Sequence, residues 1–498
     1  MQCCNVVLQR IILITTHMKT GVPVYISKGA LVIYWLMFTF WFLGVYPFLI
    51  QLDSYQLFLN VDGNVTIFFE GCYIALGLLL LRNRWDKAVV YGFIAIAFIS
   101  TVLVNGLPVK EWLNGLRFYA PMVFLLPVVR YAFATRPRRE FFMELMDRSL
   151  YVFLWLQVPC MLYQLIVYGG WDYGGGSLGF YQSGLISELI YVISFYLMLR
   201  RWDYSKNYFR NLVNNWILLF LLFPSFLNET KVSLVYIVFY FLLLVPVNRK
   251  FVKSMLITLP LLCFMIWLFN YFYMSVYGSR TESGEILTME YFDYYVIGDE
   301  ASFDIMELAY ENSDDSEDTD FQRGLKWVAL PWLMDDHGAE SWIWGNGTGI
   351  LKGHSNDDPS EFAIPYGWLF QGTIMTLYML ILEIGIVGVV WFVFTYVVLF
   401  RKAAGRRRQK QLVLYLIGLL ITVIVYNTSM NYFFFTLVFY YLAYVSLYWE
   451  DAKVLGNISP SGSMISVGGV FKKVEVKGSL PDYGRKCSDG QDDSGNWL

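Results

Sequence analysis

Five ionisable side chains stand inside otherwise apolar stretches: Glu70, Arg117, Glu188, Lys231 and Glu383. Charges in such positions are expensive to bury and mark functional sites by default. With helices counted as below, most of them fall within roughly 10 Å of one interface, at about 1.5 Å per residue. Glu70 and Arg117 lie about six residues inside their helix ends, Glu188 about five, and Glu383 in the outer half of its helix. Glu229 and Lys231 form a hairpin at the same level. Cations and carboxylates gathered there predict a pocket opening on one side of a membrane. Arg and Lys would neutralise a diphosphate, Arg in bidentate fashion, and a nearby carboxylate could accept a proton from a hydroxyl. Tyr and Trp would give flat faces for sugar rings, although interfacial aromatic belts account for many of them equally well. Singly, Arg117 could also be a snorkelling side chain, and Glu70 or Glu188 a neutral, hydrogen-bonded core acid. A proton path would need acids continuing to the opposite side, and the inner halves of these helices carry none.

The elements that must position these groups follow from composition. The chain has 498 residues, 57% apolar and 15% charged; soluble domains carry about 25% charged residues. With a mean hydropathy of +0.48 and a net charge of −3, it is neither disordered nor nucleic-acid binding. A spanning helix needs about 20 apolar residues. Twelve candidates result: 30–50, 64–81, 88–106, 111–130, 150–169, 183–199, 211–228, 230–247, 254–277, 374–400, 411–427 and 430–449. The last two come from one uncharged run, Gln411 to Trp449, split at the polar turn Asn427-Thr-Ser-Met-Asn431. Basic residues sort by loop: 21 lie in alternate short loops, such as Arg82, Arg136 and Arg406, against Lys110 and Lys231 in the intervening ones. The positive-inside rule then puts both termini in the cytoplasm. The expected fold is all-α and polytopic, with no removable signal peptide.

The domain plan is a cytoplasmic segment (1–29), nine spans (30–277), a large outer loop (278–373), three spans (374–449) and a disordered tail (450–498). From 278 to 365 the outer loop holds 20 acids against Arg280, Arg323, Lys326 and Lys352. Its Asp314-Asp-Ser-Glu-Asp-Thr-Asp320 run reads as a solvated surface rather than a calcium site, since no ligand geometry is visible in it. Trp327, Trp332, Trp342 and Trp344 give this loop enough apolar surface to fold as a cap. Gly174, Gly175 and Gly176 offer flexible points. The six cysteines show no paired or metal-type spacing and read as packing residues.

Three stretches resemble the O-antigen polymerases and ligases of bacterial polysaccharide synthesis. Asn228-Glu-Thr-Lys-Val-Ser-Leu234 is similar to the segment in which that family places a basic residue after Thr or Ser. Arg323-Gly-Leu-Lys-Trp327 with Trp344-Gly-Asn-Gly-Thr-Gly349 is similar to an Arg…Trp…Gly-x-Gly passage in its large outer loop. Leu382-Glu-Ile-Gly-Ile-Val-Gly388 resembles its Glu-x-Gly entry into the following helix, although Glu-x-Gly also suits helix packing. The glycines of the second stretch are expected to let the chain turn at the membrane surface.

The resemblance covers roughly residues 110–450. It implies a metal-independent enzyme of the bacterial inner membrane, needing no cofactor, that joins undecaprenyl-diphosphate-linked oligosaccharide repeats on the outer face. A flippase and a chain-length regulator of the same pathway would be its partners, with membrane lipids around it. Diphosphate contact falls to Arg117, Lys231 and Arg323; Glu70, Glu188 or Glu383 is the base or orients those cations. Ligases of the family usually carry a His about ten residues before Glu-x-Gly, where this chain reads Gly372-Thr-Ile-Met-Thr376. His354 could fold back into the site or be an ordinary surface residue. The missing His favours a polymerase over a ligase. A transporter is the competing class, but the two halves show no repeat of the kind expected there. Glycosyltransferases using polyprenyl-phosphate sugars carry an acidic motif in a substantial first outer loop, whereas residues 51–63 hold only Asp53 and Asp62.

Overall fold

The computed structural model describes residues 27–52, 62–169, 173–180, 182–203, 206–228, 233–246, 251–277, 303–304, 306, 323–350, 375–400, 410–424 and 432–448. At 62–64, 276–277, 323, 410–412 and 421–423 only the backbone is described. Among these residues every regular element is helical. The helices are α1 (Lys28–Leu52), α2 (Asp62–Leu79), α3 (Arg84–Phe98), α4 (Val109–Phe118), α5 (Ala120–Phe133), α6 (Arg136–Tyr168), α7 (Ser183–Arg201), α8 (Tyr208–Asn214) and α9 (Trp216–Phe220). They continue as α10 (Ser233–Leu244), α11 (Phe251–Tyr277), α12 (Arg323–Asp336), α13 (Ala339–Trp344), α14 (Thr376–Phe400), α15 (Lys410–Ile424) and α16 (Phe433–Leu447). A π-helical turn, Ile99–Val104, extends α3, and short 3-10 turns occupy Gly176–Leu178 and Phe223–Phe226.

A helix lies in each of the twelve apolar segments. Among the described residues six are long and apolar enough to cross a membrane: α1, α3 with its π turn, α6, α7, α11 and α14. The pair α4–α5, bent by 51°, would make a seventh if it is one span. Shorter apolar helices fill 65–79, 216–226, 233–244 and 433–447. This is the makeup of a multi-pass membrane protein. Two further helices, α12 and α13, stand in the expected loop region. The acidic run 314–320, the turn 427–431 and the tail from 449 lie outside the described residues.

Burial divides the helices by role. α7 and α16 are covered along almost their whole length, so side chains surround them on every face. α11 instead presents Leu256, Phe264, Trp267 and Tyr271 outward, the pattern of a helix against lipid. Aromatic rings fill the centre: Phe40 and Phe153 meet Phe434, and Phe435 stacks on Phe439 at 4.4 Å. α2 packs on α5, α5 on α16, and α3 on α14. Cys72, Cys160 and Cys263 are free thiols, with Cys160 buried among the packing residues.

Candidate functional site

The site begins at the bend between α4 and α5. Tyr119 ends α4 with φ −87° and ψ 0°, and Pro121 lies in the first turn of α5. Proline lacks the N–H that would bond back to the preceding turn, so the helix axis turns there without further cost. Arg117 occupies the last turn of α4, where a cation is favoured by the helix dipole. Its Nε donates to Glu70 Oε2 on α2 at 2.7 Å. The Arg117 side chain is 36% exposed and that of Glu70 only 5%. The carboxylate therefore anchors the guanidinium while its two terminal nitrogens make no further hydrogen bond among the described residues. Glu70 reaches this place because α2 and α5 approach closely: a Cβ on Gly77 would lie 2.7 Å from the Phe124 carbonyl oxygen.

Glu383 lies at a break in α14. Gly385 adopts φ 67° and ψ −162° inside that helix, a combination open essentially to glycine alone. Into the break fits the loop Trp344–Gly349. Gly345, at φ 73° and ψ −172°, crosses the helix backbone directly. A Cβ on Gly345 would stand 2.3 Å from the Glu383 carbonyl carbon, and one on Gly385 would stand 2.4 Å from the Ile343 carbonyl oxygen. Each glycine makes room for the other's backbone. The carbonyls freed by the break are repaired by the loop: Asn346 N–H donates to Leu382 O at 2.9 Å and Gly347 N–H to Glu383 O at 3.0 Å. The Gly349 N–H donates to the Glu383 carboxylate, Oε1, at 3.2 Å.

The π turn closes the assembly. Ser100 Oγ lies 2.6 Å from the Trp344 carbonyl and 3.1 Å from that of Glu383, sharing its proton between loop and helix. Thr101 Oγ1 accepts from Thr348 N–H at 2.8 Å and pairs with Thr348 Oγ1 at 2.8 Å. Asn105 Nδ2 donates to Gly345 O at 3.0 Å. A π turn rotates side chains relative to a regular helix and is frequent at functional sites; here it turns these groups onto the loop. On the far side of the loop, Thr348 fills the space left by Gly115, where a Cβ would come within 2.3 Å. Gly115 lies two residues before Arg117 on α4. The side chain of Tyr119 is wholly buried at the bend.

Thus Arg117 and Glu70 are joined as an ion pair, and Glu383 lies at the helix break that the loop occupies. The glycines expected to turn the chain at the membrane surface instead interlock it with a broken helix. All four amides from Asn346 to Gly349 donate to protein acceptors, so they are not turned toward a phosphate. Ser100, Thr101, Asn105, Tyr119 and Thr348 were not singled out from the sequence. Hydroxyls and amides leave no mark on a charge count, and the run from Ala88 to Val109 reads as a plain span.

Glu188 belongs to a different polar group. It is fully buried on α7. Beside it, Asn228 Nδ2 donates to Ser187 Oγ at 2.6 Å and to Ser183 O at 3.0 Å. α7 packs on α6, α10 and α15. Lys231, its neighbour Glu229 and His354 lie outside the described residues, and Arg323 opens α12 with only its backbone described.

Two features depart from the sequence expectations. Arg130 and Arg200, read as loop charges, are largely covered, at 20% and 8% side-chain exposure. Arg130 pairs with Asp86 and donates to Tyr444 Oη at 2.7 Å. Arg200 meets Asp147 at 2.7 Å, and Asp147 also accepts from Tyr196 at 2.5 Å and Tyr441 at 2.6 Å. Nor do Gly174, Gly175 and Gly176 form a flexible point, since all three are buried. Gln164 pairs with Gly176 as a second peptide would, accepting from its N–H at 2.7 Å and donating to its carbonyl at 2.9 Å. Gln157 holds Ser177 through its N–H and its hydroxyl, both at 2.9 Å.

Among the described residues no group of three or more His, Cys, Asp or Glu side chains could hold a metal ion. Compared with protein-family models and with curated proteins, the chain matches none.

Proposed function

We propose that this chain is a twelve-span polysaccharide polymerase of a bacterial inner membrane, with both termini in the cytoplasm. It joins polyprenyl-diphosphate-linked oligosaccharide repeats on the outer face. The observation that carries the reading is the Arg117–Glu70 pair. A guanidinium is held by a buried carboxylate through its Nε and remains 36% exposed, and we assign its terminal nitrogens to the oxygens of a phosphate. We assign the proton-accepting role to Glu383, which is buried at the α14 break and receives the Gly349 N–H. The resemblance of the Glu-x-Gly and Gly-x-Gly stretches to O-antigen polymerases supports the same assignment.

In the proposed reaction, a hydroxyl oxygen at the non-reducing end of one repeat attacks the anomeric carbon of the growing chain. The bond from that carbon to the diphosphate oxygen breaks, and its electron pair leaves with the polyprenyl diphosphate. Arg117, with Lys231 and Arg323, offsets the charge that develops on the leaving oxygen. The hydroxyl proton passes to a carboxylate among Glu70, Glu188 and Glu383, and the Glu-x-Gly resemblance assigns it to Glu383. A flippase supplies the repeats and a chain-length regulator limits the product.

Replacing Arg117 with Ala in a strain that depends on this chain for surface polysaccharide tests the reading. A polymerase defect leaves single repeats on the outer leaflet. Full-length chains retained on the lipid carrier would instead identify a ligase to a lipid acceptor. Single repeats trapped at the cytoplasmic side would identify a flippase.

A further inference from the structure

We infer that Thr101 and Thr348 are positioning residues for Glu383, and that the Gly345–Gly349 turn following α13 is the part through which α12 and α13 fix that carboxylate. The inference rests on the polymerase reading for its chemistry and on independent geometry for its structure. Glu383 receives the Gly349 N–H on Oε1 at 3.2 Å, and Gly349 follows directly on Thr348. Thr348 is held at three points: its N–H and its hydroxyl on Thr101 Oγ1, each at 2.8 Å, and its side chain in the notch at Gly115. Both threonines are fully buried. A buried hydroxyl pair of this kind fixes a unique register, because every alternative leaves a donor unsatisfied.

The loop cannot slide, since the missing side chains at Gly345 and Gly385 interlock the two backbones. At its other end the loop continues into α13, which packs on both α12 and α14. Ser341 Oγ ties α13 back to Met334 O of α12 at 2.5 Å. A shift of α12 and α13 is therefore transmitted to the Gly349 N–H and so to the Glu383 carboxylate. A change that loosens Thr348 should leave substrate binding intact and misplace the proton acceptor, lowering turnover rather than affinity.

Two measurements on the full chain in lipid nanodiscs test this. Hydrogen–deuterium exchange reads the amides of residues 346–349, which must be strongly protected. T101V and T348V should speed their exchange about tenfold, the expected loss for one buried hydrogen bond, while T101S and T348S retain protection. Polymerisation of purified lipid-linked repeats should then show kcat reduced about tenfold in the Val variants, with KM within about twofold, and recovery in the Ser variants. Unprotected amides in the unmodified chain would overturn the loop geometry whatever the protein catalyses. Protected amides with unchanged kcat in T348V and T101V, while E383Q is inactive, would overturn the positioning role alone. Full polymerisation by E383Q would overturn the reading of Glu383 as proton acceptor, and the positioning role with it, while protected amides would leave the loop geometry standing.

Discussion

Replacing Gly385 with Ala adds one methyl group inside a membrane helix, a change that normally stabilises. Glycine in a helix interior costs up to about 1 kcal/mol relative to alanine. At this position the sign should reverse. The residue holds φ 67° and ψ −162°, which for a residue with a Cβ costs about 1–3 kcal/mol. The added carbon would also meet Ile343 O at 2.4 Å and Gly345 N at 2.6 Å, so the loop must withdraw. Withdrawal gives up the hydrogen bonds from Asn346 and Gly347 to the Leu382 and Glu383 carbonyls, at about 0.5–1.5 kcal/mol each. Together these predict roughly 2–6 kcal/mol of destabilisation. Gly92 is the matched control: it lies within α3 and a Cβ there meets nothing within 4 Å. Thermal unfolding in detergent, followed by the monodisperse fraction on size exclusion, should place G385A well below the unmodified chain. G92A should be at or above it. Equal melting of G385A and G92A would refute the interlocked crossing.

Further substitutions probe other parts of the fold. D147A removes the carboxylate that Arg200, Tyr196 and Tyr441 share. Breaking a buried pair in this way costs about 3–5 kcal/mol, so thermal unfolding should show a large loss, and a loss under 1 kcal/mol (about one surface pair) would contradict it. Q164A should release Gly176 from its amide partner and open the 173–180 segment to proteolysis in nanodiscs, whereas cleavage equal to the unmodified chain would contradict the clamp. R117K keeps the charge but not the two-pronged donor geometry, so it should retain part of the polymer length that R117A loses. Identical products from R117K and the unmodified chain would argue against bidentate contact.

Much of the architecture could be read from apolar runs alone, because a run of about 20 uncharged residues has few alternatives in a membrane. The sequence marked Glu70 and Arg117 as unusual by their surroundings, and the fold joins them. It also marked the two glycine stretches, around Gly345 and around Gly385, without relating them. Nothing local could do so, since each takes its glycine-only backbone and its missing side chain from the other's crossing, some forty residues away. Ser100 and Thr101 were silent for another reason: an apolar helix carries a hydroxyl at little cost by bonding to its own backbone, so hydropathy does not register it. The Gly174–Gly176 segment misled in the opposite sense. Glycine implies freedom only where no side chain claims its peptide groups, and here Gln157 and Gln164 claim both.

The most direct test uses purified chain in nanodiscs with a polyprenyl-diphosphate-linked repeat, following release of free polyprenyl diphosphate as the glycan lengthens. The unmodified chain should release one lipid diphosphate for each repeat added, without added metal or nucleotide, and R117A should release almost none. Equal release by R117A, or an unmodified chain that moves the lipid-linked repeat across the bilayer without consuming it, would contradict the assignment.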